Sequence, residues 1–340
     1  VCSCLQSDKE KHRSEYDAAN MKRKTINPFP YSDSNKRYHT YDYYLRCRYG
    51  RKCAKVPLDG GFTCPNLDGT LSDAGCTFCT GRGSGDFCAD RALSVEEQFQ
   101  AIKNATEKKW GKVCYIPYFQ AFSATWGDFS HMCRQFEAAL ALPDTVGLHI
   151  ATRPDCLPPR VLDYLESFSR RCDLTVELGL QSIHDATLRR INRGHSYRQF
   201  LDGFAALRAR GISVCVHLIN GLPGENEEMM LQTAREMARL RPQMLKIHSL
   251  CVFRNTQLEH EYRAGAFSLL SRAQYVSITC RQLQLLPPQT VIARIMGDGA
   301  AAALVAPQWC QKKLTLLNEI DKWFAANNTY QGALYSAEHR

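Results

Sequence analysis

The chain runs to 340 residues, 44% of them hydrophobic and 23% charged, with a formal net charge of +9. That composition excludes a disordered or fibrous chain and reads as soluble and globular, with room for one barrel of roughly 200 to 250 residues plus extensions, or for two ordinary domains. No uninterrupted apolar run reaches the roughly 18 residues of a membrane-spanning helix, so no membrane partner is expected.

The first twenty residues, "VCSCLQSDKEKHRSEYDAAN", lack the apolar core of a secretory leader, and the chain opens on Val, so a disordered lead with Met21 as the true start is expected. Sixteen cysteines without such a leader predict a reducing, cytoplasmic setting in which most thiols are free. Between Met21 and Lys55 stand ten Lys or Arg against Asp33 and Asp42, interleaved with Phe29, Tyr31, Tyr38, Tyr41, Tyr43, Tyr44 and Tyr49. Cations mixed with aromatics suit a polyanion whose bases can stack. The same pattern also describes a solvated arm whose tyrosines pack on the domain.

The run "KVPLDGG" (55–61) predicts a first strand, and the cysteine-rich loop follows it. A helix is predicted over 94–109, opened by "SVEE", a capping box in which Ser94 caps and Glu97 answers. Near-continuous apolar runs at 113–122, 145–155, 174–182, 212–225 and 244–253 read as buried parallel strands, with helices over 129–142, 158–170, 197–210 and 226–240 between them. About six βα units in strict alternation demand a parallel sheet with right-handed crossovers, open or barrelled, with chemistry on the loops at the carboxyl ends of the strands. Helices at 271–286 and 308–326, with one more strand at 291–298, read as a cap on that barrel. The expected division is a disordered basic lead over 1–36, a core over 37–256 and an α-rich extension over 257–340.

In "FTCPNLDGTLSDAGCTFCTGRGSGDF" the cysteines are spaced as Cys64, eleven residues, Cys76, two residues, Cys79. Three thiolates suit an iron–sulfur cluster with one iron left open; a four-thiolate zinc site would need Cys88 or Cys53 as well. Cys114, Cys133, Cys172, Cys215, Cys251 and Cys280 sit in apolar segments and are expected as buried structural thiols.

This loop resembles that of the radical S-adenosylmethionine (radical SAM) enzymes, in a subgroup with a lengthened first gap. The run "KVPLDGGFTCPNLDGTLSDAGCTFC" with "GSGDF" is similar to the YhcC-type proteins and, more distantly, to the radical SAM domain of the Elongator catalytic subunit. "YFQAF", "ATRPDC", "ELGLQS", "INRGH" and "LINGLPGE" follow in the family's order, so the resemblance spans about 37–323. It implies a partial (βα)6 TIM-like barrel of the radical SAM type with an N-terminal basic arm and a C-terminal helical cap. It further implies a [4Fe-4S] cluster on Cys64, Cys76 and Cys79, with the amine and carboxylate of S-adenosylmethionine (SAM) on the fourth iron and a 5′-deoxyadenosyl radical as the hydrogen-abstracting species.

By the same resemblance Phe78 neighbours the cluster and adenine, Gln181 and Arg193 contact the ribose and carboxylate of SAM, and the backbone at Gly221 passes near adenine. The second strand departs from the family's Gly-Gly pattern, so Gln120 and Ser123 stand as candidates for the SAM amine. Lys55 raises the question of a SAM or substrate contact. Glu177 reads as structural, and His149, His217 and His248 as satisfied strand histidines outside the mechanism. No second three-cysteine motif is present. The resemblance implies a tRNA wobble uridine as substrate, with the basic arm leading into the catalytic face and a flavodoxin- or ferredoxin-type electron donor. A small metabolite or protein side chain is the second reading of the substrate, and a non-catalytic zinc-stabilised RNA-binding protein the third reading of the chain.

Overall fold

Alternation of apolar runs with amphipathic segments becomes, in the computed structural model of residues 27–297 and 301–336, a regular βα series. The chain passes through α1 (Tyr41–Tyr49), β1 (Cys53–Leu58), α2 (Val95–Trp110), β2 (Cys114–Phe119), α3 (Phe129–Leu140), β3 (Gly147–Thr152), α4 (Pro159–Ser169) and β4 (Asp173–Gln181). There follow α5 (Asp185–Arg190), α6 (Tyr197–Ala209), β5 (Ser213–Asn220), α7 (Glu227–Leu240) and β6 (Met244–Ser249). The C-terminal part adds β7 (Val252–Phe253), α8 (Gln257–Arg263), α9 (Arg272–Leu285), β8 (Val291–Ile295), β9 (Leu304–Ala306) and α10 (Lys313–Ala326).

Seven strands form one parallel sheet in the order β1-β2-β3-β4-β5-β6-β8, curled into a half-barrel, and β7 pairs antiparallel with β9. The strands are buried on both faces because helices cover the outside and side chains fill the inside, which is why their sequences run apolar without alternating. Leu148, Ile150, Val176, Val214, Val216 and Leu245 are wholly excluded from solvent, and Phe99, Phe136, Phe168, Phe200 and Phe324 of the helices pack into the same core. Each large apolar side chain so buried contributes about 1.5–3 kcal/mol. Helix starts are fixed by side chains: Ser94 and Glu97 cap α2 reciprocally, as do Ser196 and Gln199 on α6 and Ser271 and Gln274 on α9.

Two expectations are corrected here. Of the lead expected to be disordered, 1–26 lies outside the described residues, but 27–36 is packed. Phe29 is buried, and Lys36 pairs with Asp321 on α10 at 2.5 Å. Cys114, expected as a free thiol, is disulfide-bonded to Cys53, its register partner on the neighbouring strand. The thiols of Cys133, Cys172, Cys215, Cys251 and Cys280 are free.

The described part of the basic, tyrosine-rich arm, from residue 27, does not lead into the carboxyl-end face. Its helix α1 lies across the amino ends of the strands, packing Tyr41 and Tyr44 on Cys215, Met244 and Val291. Tyr49 Oη donates to Asp173 Oδ2 at 2.5 Å, at the first residue of β4, and Arg48 pairs with the same carboxylate. Every described cation of the arm has a partner within the chain: Arg46 holds Asp33 and Asp42, Arg51 holds Asp144, Lys52 holds Asp42, Lys55 holds Glu177, and Arg37 donates to carbonyls at the end of α10. The described cations are thus spent on pairs within the arm and between the arm and the barrel.

Candidate active site

The loop after β1 sits at the carboxyl end of the sheet, and short turns shape it. The backbone N–H groups of Leu67 and Asp68 donate to Cys64 O at 2.8 and 3.0 Å, and Cys79 N–H donates to Cys76 O at 2.9 Å. The "INRGH" segment beyond α5 stitches this loop down. Thr77 N–H donates to Ile191 O at 3.0 Å, Asn192 Nδ2 to Gly75 O at 2.6 Å and Asn66 Nδ2 to Asn192 O at 2.6 Å. Gly194, at φ +73°, lies so close that a Cβ there would meet Asn66 Oδ1 at 2.6 Å. Arg153, the arginine of "ATRPDC", is almost fully buried; it grips Asp155 with two nitrogens and donates to Arg193 O at 2.7 Å.

Cys64, Cys76 and Cys79 share the wall of a cavity of about 250 Å³ with Phe78, Gln120, Ser123, Gln181 and Arg193. Gly221 is outside that wall, in a turn at φ +86° packed under Leu270. Arg193 donates through Nε and Nη2 to Gly179 O, at 3.2 and 2.6 Å, and through Nη1 to Cys76 Sγ at 3.6 Å. Asn66 Nδ2 also reaches Cys76 Sγ at 3.6 Å. Gln181 ends β4 in a register shift at φ +78°, which turns its side chain off the sheet and into the cavity. Gln120 is tethered through Nε2 to Ser84 O at 2.6 Å.

The donor set fits an iron–sulfur cluster. Burial, with Cys76 and Cys64 beside it, pushes the Cys79 thiol up to about 12, so a negative charge on that sulfur needs a cation beside it. Three thiolates leave a cluster with one iron open, whereas a structural zinc ion takes four ligands. Neither thiol weighed as a fourth zinc ligand joins them: Cys53 is disulfide-bonded beside α1, and Cys88 does not line the cavity.

Deeper in the barrel lies a polar layer. Glu177 Oε1 accepts from Lys55 Nζ and from His149 Nδ1 at 2.7 Å; Oε2 accepts from Lys246 Nζ and from His217 Nε2 at 2.7 Å. Tyr41 Oη, reaching in from α1, lies 3.0 Å from His149 Nε2, and both lysines sit over the Tyr118 ring. Burial would raise the Glu177 carboxyl, but Lys246 and Lys55 outweigh it and hold the group well below the usual range. Burial pushes His149 and His217 down to about 4, so both rings are neutral, and it pushes Lys55 down to about 7.

Sequence reasoning sets the strand histidines and Glu177 aside one at a time and passes over Lys246. The signal is polar residues within otherwise apolar strands; parallel pairing brings Tyr118 level with His149, and His217 level with Lys246 and Arg294, while Glu177 reaches them from a position level with Ala151 and Cys215.

Comparisons with known proteins place this geometry among relatives. A family model described as the radical SAM superfamily matches residues 73–237, and one described as the Radical_SAM C-terminal domain matches 242–326. The chain is 46% identical over 309 residues to the uncharacterized protein YtqA of Bacillus subtilis, covering 91% of this chain and 96% of that one. It is 34% identical over 291 residues to the protein YhcC of Escherichia coli, covering 85% and 93%. The solved structure of archaeal Methanocaldococcus infernus Elp3, lacking its N-terminus, has a TM-score of 0.62 at 19% identity over 82% of this chain and 64% of that one, a likeness of fold.

Proposed function

Because the chain belongs to the radical SAM superfamily and is therefore an enzyme of that class, we propose that Cys64, Cys76 and Cys79 hold a [4Fe-4S] cluster, that the cavity before them takes SAM, and that the substrate is a tRNA wobble uridine. When bound, cluster and SAM supply one-electron chemistry whose product is a hydrogen-abstracting 5′-deoxyadenosyl radical. The observation that carries the proposal is the grouping of three sulfurs on one wall of a cavity at the carboxyl ends of the strands.

The protein's own groups bind, orient and exclude water. Arg193 spends three donors on Gly179 O and Cys76 Sγ, which fixes its plane, and keeps two for a carboxylate. Gln181, whose amide has no partner among the described residues, is placed to bridge ribose hydroxyls. Ser123 and the Oε1 of Gln120 suit an ammonium, and Phe78 offers a ring face. Gly221, behind the wall, acts through the turn that leads to α7. The tRNA part of the proposal rests on the resemblance to the Elongator catalytic subunit. The described part of the basic arm gives it no support, since its cations are engaged within the fold. A flavodoxin- or ferredoxin-type donor is the proposed electron source.

Anaerobic reconstitution tests the chemistry. Brown protein that forms 5′-deoxyadenosine from SAM on reduction with dithionite is expected, with loss of both in Cys64→Ala, Cys76→Ala and Cys79→Ala and retention in Cys88→Ala. Colourless protein with one zinc per chain would overturn it. Nucleosides from a deletion strain test the substrate: an accumulated, incompletely modified wobble uridine is expected, and unchanged tRNA alongside intact SAM cleavage would move the substrate to a metabolite or a protein side chain.

A further inference from the structure

Two free thiols meet where the barrel joins its C-terminal cap. Cys251 stands between β6 and β7, and Cys310 lies in the 3-10 turn Gln308–Gln311 that precedes α10. Antiparallel pairing of Val252 with Ala306 and of Phe253 with Leu304 lays the two stretches side by side, and the Trp309 indole anchors the turn by donating to Leu270 O at 3.2 Å. Leu304, Phe253 and Trp309 pack around the two cysteines, which are 8% and 5% exposed. Strand pairing and packing thus bring together two sulfurs 59 residues apart in the chain.

Their contact is close. Cys251 Sγ donates to Cys310 Sγ at 3.3 Å, and Ser249 Oγ lies 3.2 Å from Cys310 Sγ and 3.8 Å from Cys251 Sγ. A disulfide places its sulfurs about 2.05 Å apart, so closing the pair takes a movement of about 1 Å. The hydrogen bond from Cys251 holds the Cys310 thiol below its ordinary value against burial, with Ser249 adding to it, which favours a thiolate within the pair. Cys251 and Ser249 line the same cavity as Cys64, Cys76 and Cys79, whereas the wholly buried Cys215 and Cys280 do not. A small oxidant in that cavity therefore meets one sulfur of the pair with the other in contact behind it.

We propose that Cys251 and Cys310 form a redox site, a dithiol that a peroxide entering the cavity oxidises reversibly to a disulfide. Cys251 passes its proton along the contact to Cys310, and its sulfur attacks one peroxide oxygen: the S–O bond forms, the O–O bond breaks and hydroxide leaves. That hydroxide takes the proton from Cys310 and departs as water. The Cys310 thiolate then attacks the Cys251 sulfenic acid, forming the S–S bond as the S–O bond breaks and a second hydroxide leaves. Two electrons from the sulfurs have reduced one peroxide, and a dithiol reductant restores the pair by exchange. The link ties the cavity wall at the end of β6 to the turn before α10.

Treatment of the full chain with a few equivalents of hydrogen peroxide, then alkylation of the remaining thiols, digestion and mass spectrometry, tests the site. A peptide pair joined through Cys251 and Cys310 is expected, and dithiothreitol should part it. In the parent chain both cysteines should leave the alkylated pool at least about tenfold faster than Cys280, because thiolate character and access set the rate. In Cys310→Ser, dimedone should trap Cys251 as its sulfenic acid; in Cys251→Ser, Cys310 should resist peroxide, its route from the cavity lost. The comparison with Cys280 needs no variant, so it decides the matter even where a substitution unfolds the chain. Absence of the link in the folded parent, oxidation of Cys280 at the same rate, Cys251 joined instead to Cys64, Cys76 or Cys79, or a link that dithiothreitol does not open would overturn the site. These readouts involve neither cluster nor SAM. A chain that forms the link but does not cleave SAM would keep the redox site and lose the proposed function, and cleavage without the link would do the reverse.

Discussion

Gly179 shows how narrow the tolerances are beside the sulfurs. A methyl group there would meet Arg193 Nη2 at 2.5 Å and Gln181 Nε2 at 2.9 Å. Gly179→Ala should push the guanidinium off its carbonyl, costing about 1.5–3 kcal/mol for the charged hydrogen bond and weakening SAM about tenfold. Melting temperature and a SAM titration of the reconstituted enzyme check this, and no change in either would show that the loop absorbs the methyl. The neutral histidines set a pH dependence. His149 and His217 titrate near 4 in the fold against an ordinary value of 6.5, so the unfolded chain takes up protons between those values that the native chain refuses. Their contribution is therefore complete above about 6.5 and lost as the pH falls toward 4. Glu177, held low, adds its own loss only below the ordinary carboxylate range. The urea midpoint should drop between pH 7 and 5, with a shallower slope in His217→Gln; a flat profile would mean the rings are charged. The grouping of Cys64, Cys76 and Cys79 on one cavity wall was legible because their spacing keeps them on one loop. The polar layer was not, because each member looks ordinary alone and only the assembly of neighbouring strands makes them one group.

Elements were legible where local rules decide them. Reciprocal capping by Ser94 and Glu97 starts α2 one residue past the cap, so Ser94→Ala should cost about 1 kcal/mol, read as a lower urea midpoint at unchanged m. An unchanged midpoint would mean that packing of Phe99 alone sets the helix. Strand positions followed from apolar runs for the same reason: burial on both faces leaves no room for alternation. The face on which α1 would lie was not legible. A count of cations does not tell paired from free, and Arg48 finds Asp173 at a separation of 125 residues. The Cys53–Cys114 bond was hidden likewise, since adjacency of β1 and β2 is a property of the sheet.

At the scale of the molecule, the half-barrel has two unclosed margins, β1 and β8, and α1 contacts both. Thr40 bridges to Ile292 of β8, and Gln331 exchanges hydrogen bonds with Arg37 and His39, so the first and last described segments close over one another. A chain begun at residue 51 should therefore expose β8 with its unpaired backbone groups, and self-associate on size exclusion. A monomer with the parent's melting temperature would show that α1 is dispensable. The sheet is thus a hoop buckled at the one gap its own hydrogen bonds do not span. Because Tyr41 of that buckle also touches His149, which touches Glu177, how tightly the hoop is drawn sets the spacing of the charges inside it.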